Sequence, residues 1–299
     1  MDFYANLHMH STHSDGKYTP AELAARAAAE GYRAAALTDH DTATGYTEFK
    51  PACDRLGLEC IFGVEFTAPC STLKRTDGSD ENFHLTAYHF DPEYPPMKEY
   101  LAQMGARETD QTRILFERGL REGLIKDITW DEVLEYNHGI AWLCNEHVFR
   151  AMKAKGQVTD LDYYDFFLTV YGDRRNEVPP SYPFKTAEEL IKLVHDAGGI
   201  ILVAHPHEQL QHIDALLEMG LDGLEAWHPD LTEEEKERAY EIGLEKGIYI
   251  SGGSDHSGQC GGMYDSFDEP KKCPFWLEPR SVGTTKTYFE ELRTRSKNR

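Results

Sequence analysis

Short apolar runs alternate with longer amphipathic segments along most of the chain, and that alternation restricts it to folds built from repeated strand and helix units. Seven runs read as strands: Phe3 to His10, Ala34 to Thr38, Cys60 to Phe66, Phe83 to Phe90, Gly199 to Ala204, Gly223 to Trp227 and Ile248 to Ser251. The intervening segments carry helix punctuation. Thr19 with Glu22, Thr129 with Glu132, Thr186 with Glu189 and Thr232 with Glu235 have capping-box spacing, and Gly31, Gly57, Gly198, Gly220 and Gly247 stand where such helices stop. Between about Pro95 and Pro180 the alternation lapses into helices, at Met97 to Gly123, Trp130 to Asn137 and His147 to Lys155. The pattern predicts an α/β barrel from residues 1–95 and 181–299, interrupted by a helical subdomain at 96–180 that shapes substrate specificity. Beyond Gly258 a Gly-, Cys- and Pro-containing stretch reads as a loop, followed by a last strand or helix.

Charge narrows the partners. A formal net charge of −21 over 299 residues repels polyanions, which argues against duplex DNA. A small anion is still admissible if positive charge is concentrated locally, and bound cations do that most strongly. No apolar run approaches the roughly 20 residues of a membrane-spanning helix. The start of the chain lacks the pattern of a signal peptide. The six cysteines have no CxxC spacing, so reduced thiols and a cytoplasmic location are expected.

The 14 histidines are unevenly placed, and many fall at the ends of the expected strands. His8 and His10 close the first, with Asp15 in the loop beyond. Asp39, His40 and Asp41 follow the second, Glu65 lies on the third and His84 on the fourth. His205 ends the fifth, His228 follows the sixth, and Asp255 and His256 follow the seventh. In a strand–helix barrel the carboxyl ends of the strands form one face, so these groups converge. Imidazole and carboxylate without clustered thiolates suit Mn, Fe or Zn. His228 reads as structural or solvated, as do His89, His195, His207 and His212.

His8-Met9-His10, Ser14-Asp15-Gly16, Thr38-Asp39-His40-Asp41, Gly63-Val64-Glu65, Ala204-His205-Pro206 and Gly253-Ser254-Asp255-His256 resemble, in order, the motifs of the polymerase and histidinol phosphatase (PHP) family. Within it the chain looks most like bacterial phosphoesterases with a helical insertion, which act on nucleoside 3′,5′-bisphosphates or cyclic phosphates. The resemblance implies a distorted (β/α)7 barrel holding two or three divalent ions. It assigns His8, His10, Glu65 and Asp255 to the first ion, and Glu65, as a bridge, with His84 and His205 to the second. Asp15 and His40 fall to a third, together with His256, which stands one residue off the family's usual spacing.

These assignments lead to a definite chemical expectation. A hydroxide shared by two ions attacks phosphorus, with Glu65 essential to the pair and His147 or His256 protonating the leaving group. Arg174, Arg175 and His147 are expected to contact the substrate, a nucleotide or sugar phosphate. Competing readings are trimming of short oligoribonucleotides from the 5′ end, a metal-dependent amidohydrolase, and a non-catalytic metal-binding module.

Overall fold

A computed structural model describes residues 1–255, 259–260, 263–264 and 280–295. The chain opens with β1 (Phe3–Asn6), α1 (Pro20–Ala29), β2 (Ala34–Leu37), α2 (Tyr46–Leu56), β3 (Glu59–Lys74) and β4 (Asp80–Tyr88). Helices α3 (Pro95–Arg121), α4 (Trp130–Tyr136), α5 (Asn145–Ala154) and the short α6 (Tyr163–Phe166) follow. Alternation then resumes with α7 (Ala187–Asp196), β5 (Ile200–Val203), α8 (Ile213–Glu218), β6 (Gly223–Trp227), α9 (Glu233–Lys246) and β7 (Tyr249–Gly252). A small pair, β8 (Gln259–Cys260) and β9 (Met263–Tyr264), precedes β10 (Thr284–Thr285) and α10 (Lys286–Arg295).

The main sheet has eight strands in the order β10-β1-β2-β3-β4-β5-β6-β7. Most neighbours are parallel, but β4 runs antiparallel to both β3 and β5, and β10 is antiparallel to β1. Leu7 N–H donates to Gly252 O at 3.3 Å, and the Thr284 hydroxyl donates to the same carbonyl at 2.9 Å. These bonds draw β7 back toward β1, so the sheet curls almost into a barrel. The last strand or helix expected after the loop is both: β10, the short eighth strand that closes the curl, and then α10, while the fourth strand was placed two or three residues late.

Local chemistry explains the regularity. All four expected capping boxes form, at Thr19, Thr129, Thr186 and Thr232. Each threonine accepts from the backbone three residues on, satisfying one of a helix's orphan donors. Strands β2 and β5 are buried on both faces, which is why they read as unbroken apolar runs.

The interruption has its own core, made by Leu115, Phe116, Val133, Val148, Phe149, Tyr163, Phe166 and Val170 among others. Helix α3 joins the two cores. Its Met97, Tyr100 and Met104 pack into the barrel's hydrophobic cluster, while Leu115 and Phe116, further along, pack into the second. Among the described residues no helix is long and apolar enough to cross a membrane.

Candidate metal centre

The expected ligands meet at the carboxyl end of the barrel strands. β1 ends at Asn6, and just beyond it His8 and His10, two residues apart, bring their rings together with centroids 5.1 Å apart. Their Nε2 atoms are 3.1 Å apart. Glu65, on β3, is fully buried, and its Oε2 lies 3.2 Å from His8 Nε2, 3.1 Å from His10 Nε2 and 3.2 Å from His40 Nδ1. Its Oε1 lies 3.0 Å from His205 Nε2 and 3.2 Å from His84 Nδ1. Asp255 Oδ1 is 2.8 Å from His10 Nε2 and 3.5 Å from His8 Nε2. Asp15 stands farther out, with its carboxylate 3.6 Å from His10 Nδ1 and 3.9 Å from His40 Nε2.

This arrangement has the character of a cation cage. Three imidazole nitrogens crowd Glu65 Oε2, yet none makes a directed hydrogen bond to it, and among the described residues the buried His10 Nδ1 has no hydrogen-bond partner either. Two nitrogens each about 2.1 Å from one divalent ion sit about 3.0 to 3.4 Å apart, which matches the His8–His10 pair and the 3.2 Å between His84 Nδ1 and His205 Nε2. Donor atoms lie close enough to share an ion in His8, His10, Glu65 and Asp255, in His40, Glu65 and His84, and in His10, Asp15 and His40. The nitrogen and oxygen donor set suits a divalent metal ion.

Electrostatics agree with that character. Burial pushes Glu65 upward, but His8, His40 and His84 outweigh it and hold the carboxyl well below its usual range. Asp255 behaves alike: burial raises it, and His8 and His10 depress it further than burial lifts it. Burial drives His40 down to about 4 despite the nearby Glu65. The cage is thus rich in carboxylate charge that a cation can neutralise.

Tight backbone approaches shape the mouth. A Cβ on Gly253 would sit 2.4 Å from the His8 backbone nitrogen, and one on Gly16 would sit 2.1 Å from His10 O, so only glycine fits either place. Asp41, His205 and Asp255 take positive φ, at 51°, 26° and 49°. Backbone strain of this kind gathers at functional sites. The Asp39 carboxylate accepts from Ser11 N and Oγ and from Ser14 Oγ, at 2.6, 2.8 and 2.9 Å, and so fixes the loop that carries Asp15. Asp41 accepts from Thr67 N at 3.2 Å and from its hydroxyl at 3.0 Å.

Several expectations need correction. His147 was expected to give a proton and touch substrate, but both its ring nitrogens are engaged by backbone. Nδ1 accepts from Cys144 N at 3.0 Å, and Nε2 donates to Thr12 O at 2.9 Å. Burial, with Arg150 nearby, keeps the ring well below the usual imidazole range, hence neutral. His147 instead straps the insertion to the Asp15 loop, helped by Arg150, which donates to Gly16 O at 2.5 Å. Arg174 pairs with Glu122 at 2.5 Å and does not line the cavity. His256 lies outside the described residues.

Arg175 does line that cavity, although Glu108, Asn145 and Gln111 already accept from its guanidinium. The space is about 360 Å³, with Asp15, His40, Asp41 and His84 on the barrel side. Arg107, Trp142, Asn145 and Phe184 face them from the insertion and the strand of chain that returns from it. Arg107 stacks over the Phe184 ring at 3.9 Å, and the Trp142 ring lies 6.3 Å from that of His40, nearly parallel.

Two residues beneath the cage were missed as contributors. Glu225, in β6, places its oxygens 3.0 and 3.1 Å from His8 Nδ1 and accepts the backbone N–H of His205 at 2.9 Å. Burial raises this carboxyl, and His8 more than compensates, leaving it depressed and charged. A glutamate inside an otherwise apolar buried strand needs a partner, and that was the available signal. The second is His228, fully buried just after β6.

The family model for the PHP domain matches residues 6–230. The chain is 26% identical over 259 residues to the phosphoribosyl 1,2-cyclic phosphate 1,2-diphosphodiesterase of Eggerthella lenta, covering 86% of this chain and 95% of that protein. It is 24% identical over 287 residues to the 3′,5′-nucleoside bisphosphate phosphatase of Chromobacterium violaceum, covering 91% and 95%. A crystal structure of a Bifidobacterium adolescentis protein assigned as a metal-dependent phosphoesterase aligns with a TM-score of 0.74 at 27% identity, over 97% of this chain and 96% of that one.

Proposed function

The chain belongs to the PHP family, and from that premise we propose that it is a metal-dependent phosphoesterase acting on small phosphate esters, either cyclic phosphodiesters or nucleoside 3′,5′-bisphosphates. The observation that carries this reading is the meeting of His8, His10, Glu65 and Asp255 around one point, with Glu65 reaching on toward His84 and His205. The first four would hold one ion, Glu65, His84 and His205 a second, and Asp15 and His40 a third. Mn, Fe or Zn ions bound there supply an acidified water as nucleophile and neutralise phosphoryl oxygens.

The residues of the chain account for the rest. Glu65 has an oxygen for each of two clusters, so it fixes their spacing. Glu225 holds His8 by Nδ1 and leaves Nε2 facing the cage. A cavity of about 360 Å³ accepts a sugar phosphate or nucleotide and stands at the small end of ligand sites. On its far wall Arg107 is backed by Phe184, while Arg175 is held by Glu108. We assign these two arginines, and not Arg174, to a phosphate distant from the reacting one. The relatives acting on a cyclic ribose phosphate and on a bisphosphate support a substrate of that class. The insertion, residues 96–180, supplies most of this wall and so sets specificity.

The deciding measurement is phosphate release by Mn-loaded protein from nucleoside 3′,5′-bisphosphates, cyclic ribose phosphates, histidinol phosphate and short RNA. Turnover of the first two classes well above the others is expected. Amine release from amide substrates with no phosphate release would overturn the reading.

A further inference from the structure

We propose that His228, which belongs to none of the expected ion sites, is a positioning residue that sets the orientation of the Asp255 carboxylate. The inference rests on the metal-dependent reading above. His228 is fully buried and packs against the rings of His8 and His205 at centroid distances of 5.6 and 5.1 Å. Its Nδ1 accepts the backbone N–H of Asp230 at 3.2 Å. In a neutral ring the proton is then on Nε2. That Nε2 has no hydrogen bond among the described residues, and Asp255 Oδ2 stands 3.5 Å from it.

The other oxygen of Asp255 faces away from His228. Oδ1 is 2.8 Å from His10 Nε2 and 3.5 Å from His8 Nε2, inside the cage. The backbone of Asp255 is already fixed, because its N–H donates to His8 O at 2.9 Å and its φ is 49°. Rotation of the carboxylate is what remains to be set. A donor beneath Oδ2 selects the rotamer that presents Oδ1 to the cation. A buried N–H left without an acceptor is unfavourable, so closing this 3.5 Å gap as Oδ1 engages a cation is favourable for both groups.

The test is titration of metal-stripped wild type, H228F, H228N and H228Q with Mn²⁺, followed by calorimetry and by the Mn²⁺ electron paramagnetic resonance signal. Phenylalanine keeps an aromatic ring and removes the donor, asparagine stays polar but cannot reach Oδ2, and glutamine returns an N–H near the position of Nε2. Mn²⁺ affinity is expected to fall about 10- to 100-fold in H228F and H228N and about threefold or less in H228Q. Turnover by H228F should recover as Mn²⁺ is raised, a shift in the metal dependence more than in kcat. Should H228F melt early in its stripped form, H228N carries the same comparison. Wild-type affinity in both H228F and H228N would overturn the inference. A wild-type protein that binds no Mn²⁺ would overturn the metal-dependent reading itself, which is a different result.

Discussion

The two walls of the cavity are built in opposite ways. On the barrel side, Glu65, His8 and His10 are buried and close-set, and Glu225 lies beneath His8. On the insertion side the polar groups are long side chains, part exposed, reaching across helices: Arg175 to Glu108 on α3 and Asn145 on α5, Arg107 to the Tyr182 carbonyl. Rigid short groups suit chemistry that has one geometry, and long ones suit recognition that can be retuned. The contrast predicts that damage to the barrel wall abolishes reaction, while damage to the insertion wall redistributes it among substrates.

The largest expected effect breaks the barrel wall at its centre. Glu65→Gln keeps shape but removes the charge shared by two clusters, so bound metal should fall and phosphate release should drop about 10³-fold or more. Metal analysis and single-turnover phosphate release read both quantities. Near-normal turnover with full metal would refute the bridging role. Glu225→Gln comes next. It touches His8 through Nδ1 and should weaken metal binding about 10- to 100-fold, with partial rescue by excess Mn²⁺. A loss that excess metal leaves untouched would place Glu225 in another role.

The same contrast explains what was legible in the sequence. Candidate ligands at strand ends are legible, because the strand pattern fixes where His8, Glu65 and His205 emerge and the structure brings them together. Helix starts were equally clear, since a capping box such as Thr232 with Glu235 is wholly local. Contacts across the fold were not. Nothing local told that His147 would spend both ring nitrogens on backbone, that Arg174 would turn to Glu122, or that His228 would lie under the cage. The closing strand β10 was expected only as a last strand or helix, because two residues are too few to show a period.

The insertion wall gives smaller and more selective effects. Arg175→Met removes a guanidinium that lines the cavity and should raise KM for a doubly phosphorylated substrate about 10- to 100-fold, the scale of one charged hydrogen bond, with a much smaller change for a singly phosphorylated one. Arg107→Met should act in the same direction. Equal KM shifts on both substrates would mean that these arginines hold the wall together without reading a phosphate.

The smallest expected effect sharpens the comparison most. Arg174 is adjacent to Arg175 in sequence, but its guanidinium binds Glu122 near the end of α3, away from the cavity. An exposed ion pair of this kind adds little to stability. Arg174→Met should therefore shift the urea midpoint slightly and leave KM for the doubly phosphorylated substrate within about twofold of wild type. Measured beside Arg175→Met, it separates placement from mere positive charge: both variants carry the same loss of charge one residue apart, so long-range attraction of the anion would weaken equally in each. If the two KM values rise together, the insertion acts as a diffuse cationic surface. If only Arg175→Met responds, the wall reads its phosphate by contact.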